Sequence, residues 1–362
     1  MKDNLEKKFL KEYEKLKQNV QKVNILLAGK TGAGKSSIVN MIFGYGTAQA
    51  GTGRPVTQKI DVYEDNTLEV RIFDSKGYEL GAVADKEFYD EVVNLSERTN
   101  DPRNVIHLIW YCIDSSGHRV TDYDINAVEA FKKSGLPVAI VLTKADLVTD
   151  EESAEIKKTL PAWAADCTFE TTNSTDEKLK KYNNIDKLVT WSAQKLSDAQ
   201  KLSFIRSQKA NLEEKYKQAN IMVAQHAVTA ASSVLITPLP FSDAPLLIAN
   251  EMALMVRIMH LYDIDDQIVK LETIGIQSIL GKLLTMGGKY ITSQLLRIIP
   301  IAGKIVSATV ATGIVTAFGE GVNISCYNLY KAKLDGKDIT ILLDTFGNTI
   351  MENAIRQANL HK

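Results

Sequence analysis

A chain of 362 residues, 45% of them hydrophobic and 24% charged, is long enough for two domains that each bury a core. Its 43 basic and 44 acidic residues leave a formal net charge of −1, which argues against a general nucleic-acid binder, so no nucleic-acid partner is expected. Cys112, Cys167 and Cys326 are widely spaced and form no metal-ligand pair, and the charged segment after Met1 lacks a signal-peptide core; a reducing cytoplasm is the expected location.

Residues 1–21 are the first predicted element. Leu5, Phe9, Tyr13, Leu16 and Val20 recur at spacings of three and four, the pattern of an amphipathic helix. The stripe is expected to dock on the domain that follows, with self-association and membrane-surface contact as alternatives.

Next comes an apolar run, Val23 to Ala28, then Gly29-Lys30-Thr31-Gly32-Ala33-Gly34-Lys35-Ser36-Ser37, then Ile38-Val39-Asn40-Met41-Ile42. The order is strand, G-x-x-x-x-G-K-S loop, helix. In such a loop successive backbone N–H groups and a helix N-terminus converge on an anion, Lys35 reaches the β- and γ-phosphates of a nucleotide, and the Ser36 hydroxyl ligates Mg2+. The glycines let the backbone close around the phosphate. A glycine turn with an incidental Lys and Ser is the alternative, disfavoured by the strand and helix on either side.

Alternation then continues. Ile60–Tyr63, Leu68–Asp74, Val105–Ile113, Val138–Thr143 and Lys187–Trp191 read as strands, with helices expected after Ser36, over Lys86–Thr99, Thr121–Lys133 and Glu151–Ala164. The pattern predicts an α/β fold, a mostly parallel sheet with helices on both faces and a ligand at the carboxyl ends of the strands. Two further candidates fall at strand ends. Asp74-Ser75-Lys76-Gly77 closes the third strand, so that Asp74 is suited to hold Mg2+ through a water and the Gly77 N–H to meet the γ-phosphate. Thr57, in Gly53-Arg54-Pro55-Val56-Thr57, is the candidate threonine that ligates Mg2+ only when GTP is bound, with Thr52 as the alternative.

The fifth strand ends in Leu142-Thr143-Lys144-Ala145-Asp146, which resembles the [NT]-K-x-D guanine-specificity motif of translation-factor-class GTPases. The resemblance implies GTP/GDP binding, with Asp146 accepting hydrogen bonds from guanine N1 and N2 and the Lys144 stem lying along the base. Thr143 stands where Asn is commoner. Ser192-Ala193, after Val189-Thr190-Trp191, is similar to the family's final base contact, although the segment between Asp146 and Ser192 is longer than a minimal G domain needs. An ordinary strand-end turn is the alternative reading of Thr143–Asp146.

Tyr78 follows Gly77 where Ras-like GTPases carry a water-orienting Gln. The chain is therefore similar to the Era-like group, which implies a low intrinsic rate; Gly32 occupies the position where some of that group carry a K+-binding Asn. The spelling G-K-T-G-A-G-K-S also resembles septins, Toc receptors and immune-associated nucleotide-binding proteins. That likeness implies a G-domain homodimer in which Arg119 or His118, within Ser116-Gly117-His118-Arg119-Val120-Thr121, reaches the partner's nucleotide. A solvated loop residue beside the Thr121 helix cap is the alternative for Arg119.

Beyond about Leu202 the pattern is helical. Ile221–Ser242 and Ile305–Gly319 are uncharged runs, the first broken by Pro238 and Pro240, so packed helices are expected, with membrane insertion as the alternative. Met252, Met255 and Met259 share a helical face and read as core. Ile236 to Pro245, the helix Leu246–Tyr262 and the run from Ile299 through Gly319 resemble the helical domain that follows Era-like G domains and occurs in YcjF-like membrane proteins, a resemblance that covers the chain from about Val223 to Tyr330. That likeness keeps peripheral membrane contact open. Helices over Asn323–Lys333 and Asp338–Asn359 finish the chain.

The expected organisation is an N-terminal helix (1–21), a P-loop NTPase G domain (22–202) and an all-helical domain (203–362). The five histidines share no metal-ligand spacing, which leaves phosphoryl transfer to water as the expected chemistry. A Mg2+-dependent GTPase switch is the first reading. A slowly turning-over, nucleotide-dependent scaffold and an ATP-using enzyme are the alternatives.

Overall fold

In the computed structural model, residues 2–44, 54–55, 60–75, 92, 101–236, 244–265 and 308–360 are described. They divide into two units, Val20–Asn211, and Met1–Asn19 together with Leu212–Lys362. Thr52, Thr57, Gly77, Tyr78 and nearly all of the expected helix over Lys86–Thr99 lie outside the described residues.

After α1 (Lys2–Gln18), the chain builds the α/β unit from β1 (Val23–Ala28), α2 (Lys35–Phe43), β2 (Arg54–Pro55), β3 (Ile60–Glu64), β4 (Val70–Ser75), β5 (Leu108–Asp114), α3 (Asp122–Lys133), β6 (Val138–Thr143), α4 (Asp150–Thr159), β7 (Thr168–Glu170), α5 (Ile185–Gln194) and α6 (Asp198–Ser207). The sheet order is β2-β3-β4-β1-β5-β6-β7, antiparallel at β2–β3 and β3–β4 and parallel elsewhere. Every position of β1 and β6 is buried, as apolar strands covered on both faces should be. Register brings the functional ends together. Leu27 pairs with Asp74, Ala28 with Tyr111, and Asp114 with Thr143, so the ends of β1, β4, β5 and β6 share one edge.

Two expectations are corrected here. Residues Lys187–Trp191 are helical, within α5. The period-two look of Leu188-Val189-Thr190-Trp191 is local; over ten residues the buried positions Leu188, Val189, Ser192 and Ala193 fall on one helical face, and the helix wins. The edge strand is instead Thr168–Glu170, three residues long. The unit also runs past residue 202. In α6, Phe204 meets Phe43 at 6.2 Å and Trp110 at 6.3 Å edge-on, while Arg206 forms a buried ion pair with Glu69. Those contacts hold α6 to the sheet, so the division between the units falls at 211–212.

The helical unit contains α7 (Leu212–Ile236), α8 (Ala244–Leu261), α9 (Ala308–Leu334) and α10 (Thr340–Leu360). Two glycines set its packing. A Cβ on Gly319 would lie 2.7 Å from the Val223 side chain, and one on Gly321 would lie 2.6 Å from the Ala354 nitrogen and 2.7 Å from the Ile350 carbonyl, so α7 side chains pack directly on Gly319 and α9 meets α10 at near backbone contact. Buried polar groups answer one another: Tyr262 donates to Asn323 Oδ1 at 2.7 Å, and Asn323 donates to the Tyr216 carbonyl and Asn220 Oδ1. Met252, Met255 and Met259 are buried, as the shared face predicts. The α1 helix belongs to this unit. Phe9 is buried and Lys17 lies 3.6 Å from Asp265, so the amphipathic stripe serves the helical core and not the α/β domain that directly follows it, against the expectation from sequence. Among the described residues no helix is long and apolar enough to cross a membrane.

Candidate functional site

The phosphate loop owes its shape to three glycines with positive φ, Gly29 (134°), Gly32 (79°) and Gly34 (81°). At Gly29 a side chain would drive into the Cys112 carbonyl, and at Gly34 it would lie 3.1 Å from Thr143. Gly34 is the N-cap of α2 and offers no capping side chain, and the first turn of α2 carries no acid. The helix start therefore keeps its N–H groups and partial positive charge for an outside anion. Lys35 Nζ donates to the Gly29 carbonyl at 2.9 Å and the Lys30 carbonyl at 3.2 Å, which holds the ammonium across the loop. Thr31, Gly32 and Ser36 are exposed, Ala33 is buried and Ser37 is half-buried.

Asp74 sits beside this loop. Its Oδ1 is buried with no hydrogen-bond partner among the described residues, and Asp74 and Ser36 line one cavity with Leu27, Val39 and Tyr63. Burial raises the Asp74 pKa; Lys35 pulls it down and Asp61 adds to the rise. A desolvated carboxylate with an unanswered oxygen is costly unless a cation meets it. The hydroxyl of Ser36 and this carboxylate are hard oxygen donors, which fits Mg2+.

The residues expected to face a base lie at the end of β6. Thr143 Oγ1 lies 2.9 Å from the Ala33 carbonyl and 3.2 Å from the Ile113 carbonyl, so a hydroxyl ties β6 to the phosphate loop where Asn is commoner. Lys144 adopts φ 53°, and its Nζ pairs with Asp114. Burial pushes the Asp114 pKa up, but hydrogen bonds from Lys144 and Ser116 prevail and hold it below the ordinary value. Asp146, in the short turn Ala145–Leu147, is half-buried and makes no hydrogen bond to any described residue.

Ser192 and Ala193 do not join this site. Both are buried in α5, and Ser192 Oγ accepts from the Trp110 indole at 3.1 Å, so they are core residues. The position after the true edge strand is held by Thr171-Thr172-Asn173. Ala145 N donates to the Thr171 carbonyl at 3.1 Å, Thr171 N donates to the Leu142 carbonyl at 2.8 Å, and Thr171 Oγ1 is buried without a partner. These residues flank the Lys144–Asp146 turn and were not singled out from the sequence. The sole signal was the long stretch between Asp146 and Ser192, which leaves room for another strand and loop. Arg119 is exposed between the 3-10 turn Ser115–Gly117 and the Thr121 cap of α3, and neighbouring His118 lies 3.1 Å from Glu152.

Residues 24–144 match the family described as 50S ribosome-binding GTPase, and residues 198–327 match a domain of unknown function, DUF697. The probable GTP-binding protein EngB of Petrotoga mobilis is 30% identical over 137 residues, covering 37% of this chain and 67% of that protein. The tRNA modification GTPase MnmE of Borrelia recurrentis is 29% identical over 153 residues, 41% of this chain and 31% of MnmE. Neuronal-specific septin-3 of Danio rerio is 24% identical over 161 residues, 37% of this chain and 44% of the septin. The chain thus spans under a third of MnmE and under half of the septin.

Proposed function

The chain belongs to the P-loop GTPase family that includes EngB, and from that premise we propose that it hydrolyses GTP to GDP and phosphate as a Mg2+-dependent switch coupled to its helical unit. The observation that carries the reading is the convergence of unanswered groups on one sheet edge: the uncapped α2 N-terminus, the orphaned Asp74 oxygen and Asp146, which makes no hydrogen bond to any described residue. Lys35 would give its two carbonyl partners up for phosphate oxygens, and the loop N–H groups would hold the same anion. Asp146 would accept from the two donors on the guanine edge, which adenine cannot match because it lacks the exocyclic amino group. Mg2+, held by Ser36, Thr57 and Asp74, would supply charge neutralisation. Thr57 and Gly77 keep the γ-phosphate-sensing roles that their sequence positions imply, and Thr171–Asn173 take the last base contact in place of Ser192 and Ala193.

Hydrolysis of GTP and ATP with and without Mg2+ tests this, with Lys35→Ala as the control. GTP turnover lost in the variant is the expected result, and equal use of ATP would remove the guanine assignment. Coupling to the helical unit predicts different limited-proteolysis patterns with GDP and a GTP analogue; identical patterns would count against it.

The exposure of Arg119 favours one elaboration, activation by G-domain dimerisation. A charge delivered in trans raises GTP hydrolysis by about 10³ to 10⁵. Specific activity should then rise with protein concentration and fall back in Arg119→Ala. Flat turnover by a sedimenting monomer would leave a switch that awaits a separate activator.

A further inference from the structure

Two aspartates bracket the segment from the end of β5 to the first turn of α3, and each binds a lysine from a different nucleotide-facing loop. Asp114 Oδ1 accepts from Ser116 N at 2.9 Å and Ser116 Oγ at 2.6 Å, while Oδ2 takes the Lys144 ammonium. Lys144 needs such a hold, because its backbone is in the left-handed region that side-chain-bearing residues rarely adopt.

At the other end Asp124 is buried, 3% exposed, and its carboxylate is fully occupied. Tyr111 Oη donates to Oδ1 at 3.0 Å; Thr121 N at 3.0 Å, Thr121 Oγ1 at 2.6 Å and Lys30 Nζ at 3.2 Å donate to Oδ2. Lys30 also donates to Thr121 Oγ1 at 2.9 Å. The Lys30 carbonyl accepts from Lys35 Nζ and from Ala33 N, so the residue leashed to Asp124 shapes the loop that carries Lys35. An exposed ion pair contributes little, but hydrogen bonds from an ammonium to a buried carboxylate at a capped helix start are of the strong kind.

We propose that Asp114 and Asp124 are positioning residues and that the segment between them is a strap, which fixes Lys144 on the base side and Lys30 in the phosphate loop. The strap rests on the guanine-nucleotide reading above and deepens it. Because one stretch of chain holds both loops, the spacing between the base contact and the phosphate cradle is set by β5 and α3.

The test uses the full chain, with GDP affinity from titration of a fluorescent GDP, single-turnover GTP hydrolysis at saturation, and thermal unfolding. Asp114→Asn should weaken GDP binding about tenfold, the size expected when a charge-assisted hydrogen bond that orders a binding group is lost. Lys30→Met should weaken binding by about the same factor and also slow the saturated single turnover about tenfold, since it loosens the loop that carries Lys35. Lys30→Met stands in for Asp124→Asn should that variant fail to fold, because it leaves Asp124 three donors to its carboxylate. Parental affinity and rate in both folded variants, with a lowered unfolding midpoint alone, would reduce the aspartates to structural braces and overturn the strap. A parent chain that binds no guanine nucleotide would overturn the underlying reading, and the strap with it.

Discussion

Glycine brings backbones close at both the phosphate loop and the α9–α10 crossing, but the polar groups around the two places are treated oppositely. In the helical unit, Tyr262, Asn323 and Asn220 satisfy one another, and Lys333 Nζ donates to the Asp263 carbonyl and carboxylate. At the sheet edge, the α2 N-terminus is uncapped, an Asp74 oxygen is orphaned and Asp146 has no described partner. Folding normally selects against unanswered buried polar groups. The orphaned Asp74 oxygen beside an uncapped helix start therefore supports the ligand position proposed above, whereas the closed network around Asn323 is what scaffold requires.

The sharpest way to break this comparison is Lys35→Ala. Loss of the ammonium should lower single-turnover GTP hydrolysis by about a thousandfold, in line with removing one charge-stabilising donor, and should leave the denaturation midpoint near that of the parent. Asp146→Asn comes next. Exchanging an acceptor for a donor at the guanine edge should cost about a hundredfold in GDP affinity by calorimetric titration; unchanged affinity would mean the turn is not a base contact.

Gly321→Val addresses the other region. The added side chain meets the backbone of α10 at Ala354 and Ile350, and overpacking against backbone should destabilise by about 2 kcal/mol in chemical denaturation. GDP affinity of the folded fraction should hold. The smallest effect is expected for Ser192→Ala. Removing the acceptor of the buried Trp110 indole should cost about 1 kcal/mol of stability and leave GDP affinity alone, whereas a tenfold loss of affinity would restore Ser192 to the site.

Much of the α/β unit was legible from local pattern. Val23–Ala28 and Val138–Thr143 are strands with the expected bounds, because a strand buried on both faces is a continuous apolar run that needs no partner to be recognised. The edge was harder to read. Thr168–Glu170 is three residues long, half-buried at two of them, and leaves almost no periodicity, while Leu188–Trp191 imitates a strand inside a helix. Reading Lys187–Trp191 as the edge strand places Ser192 and Ala193 at a strand end, where the structure instead buries them in a helix. The unit boundary moved from 202 to 211 for a related reason: α6 looks like the start of the helical text, and its aromatic contact with Phe43 and Trp110 is invisible to a local pattern.

What the sequence by itself determined is the P-loop GTPase class, since its glycines, Lys35 and Ser36 lie within one short loop whose order in the chain is its order in space. What only the tertiary structure decided is how that loop is braced and where the base loop lies. Lys30 and Asp124 are 94 positions apart, Lys144 and Asp114 are 30 apart, and Thr143 reaches Ala33 across 110. Such pairs form only because parallel strands deliver their carboxyl ends to one edge, and no local pattern encodes which distant partner will be waiting there.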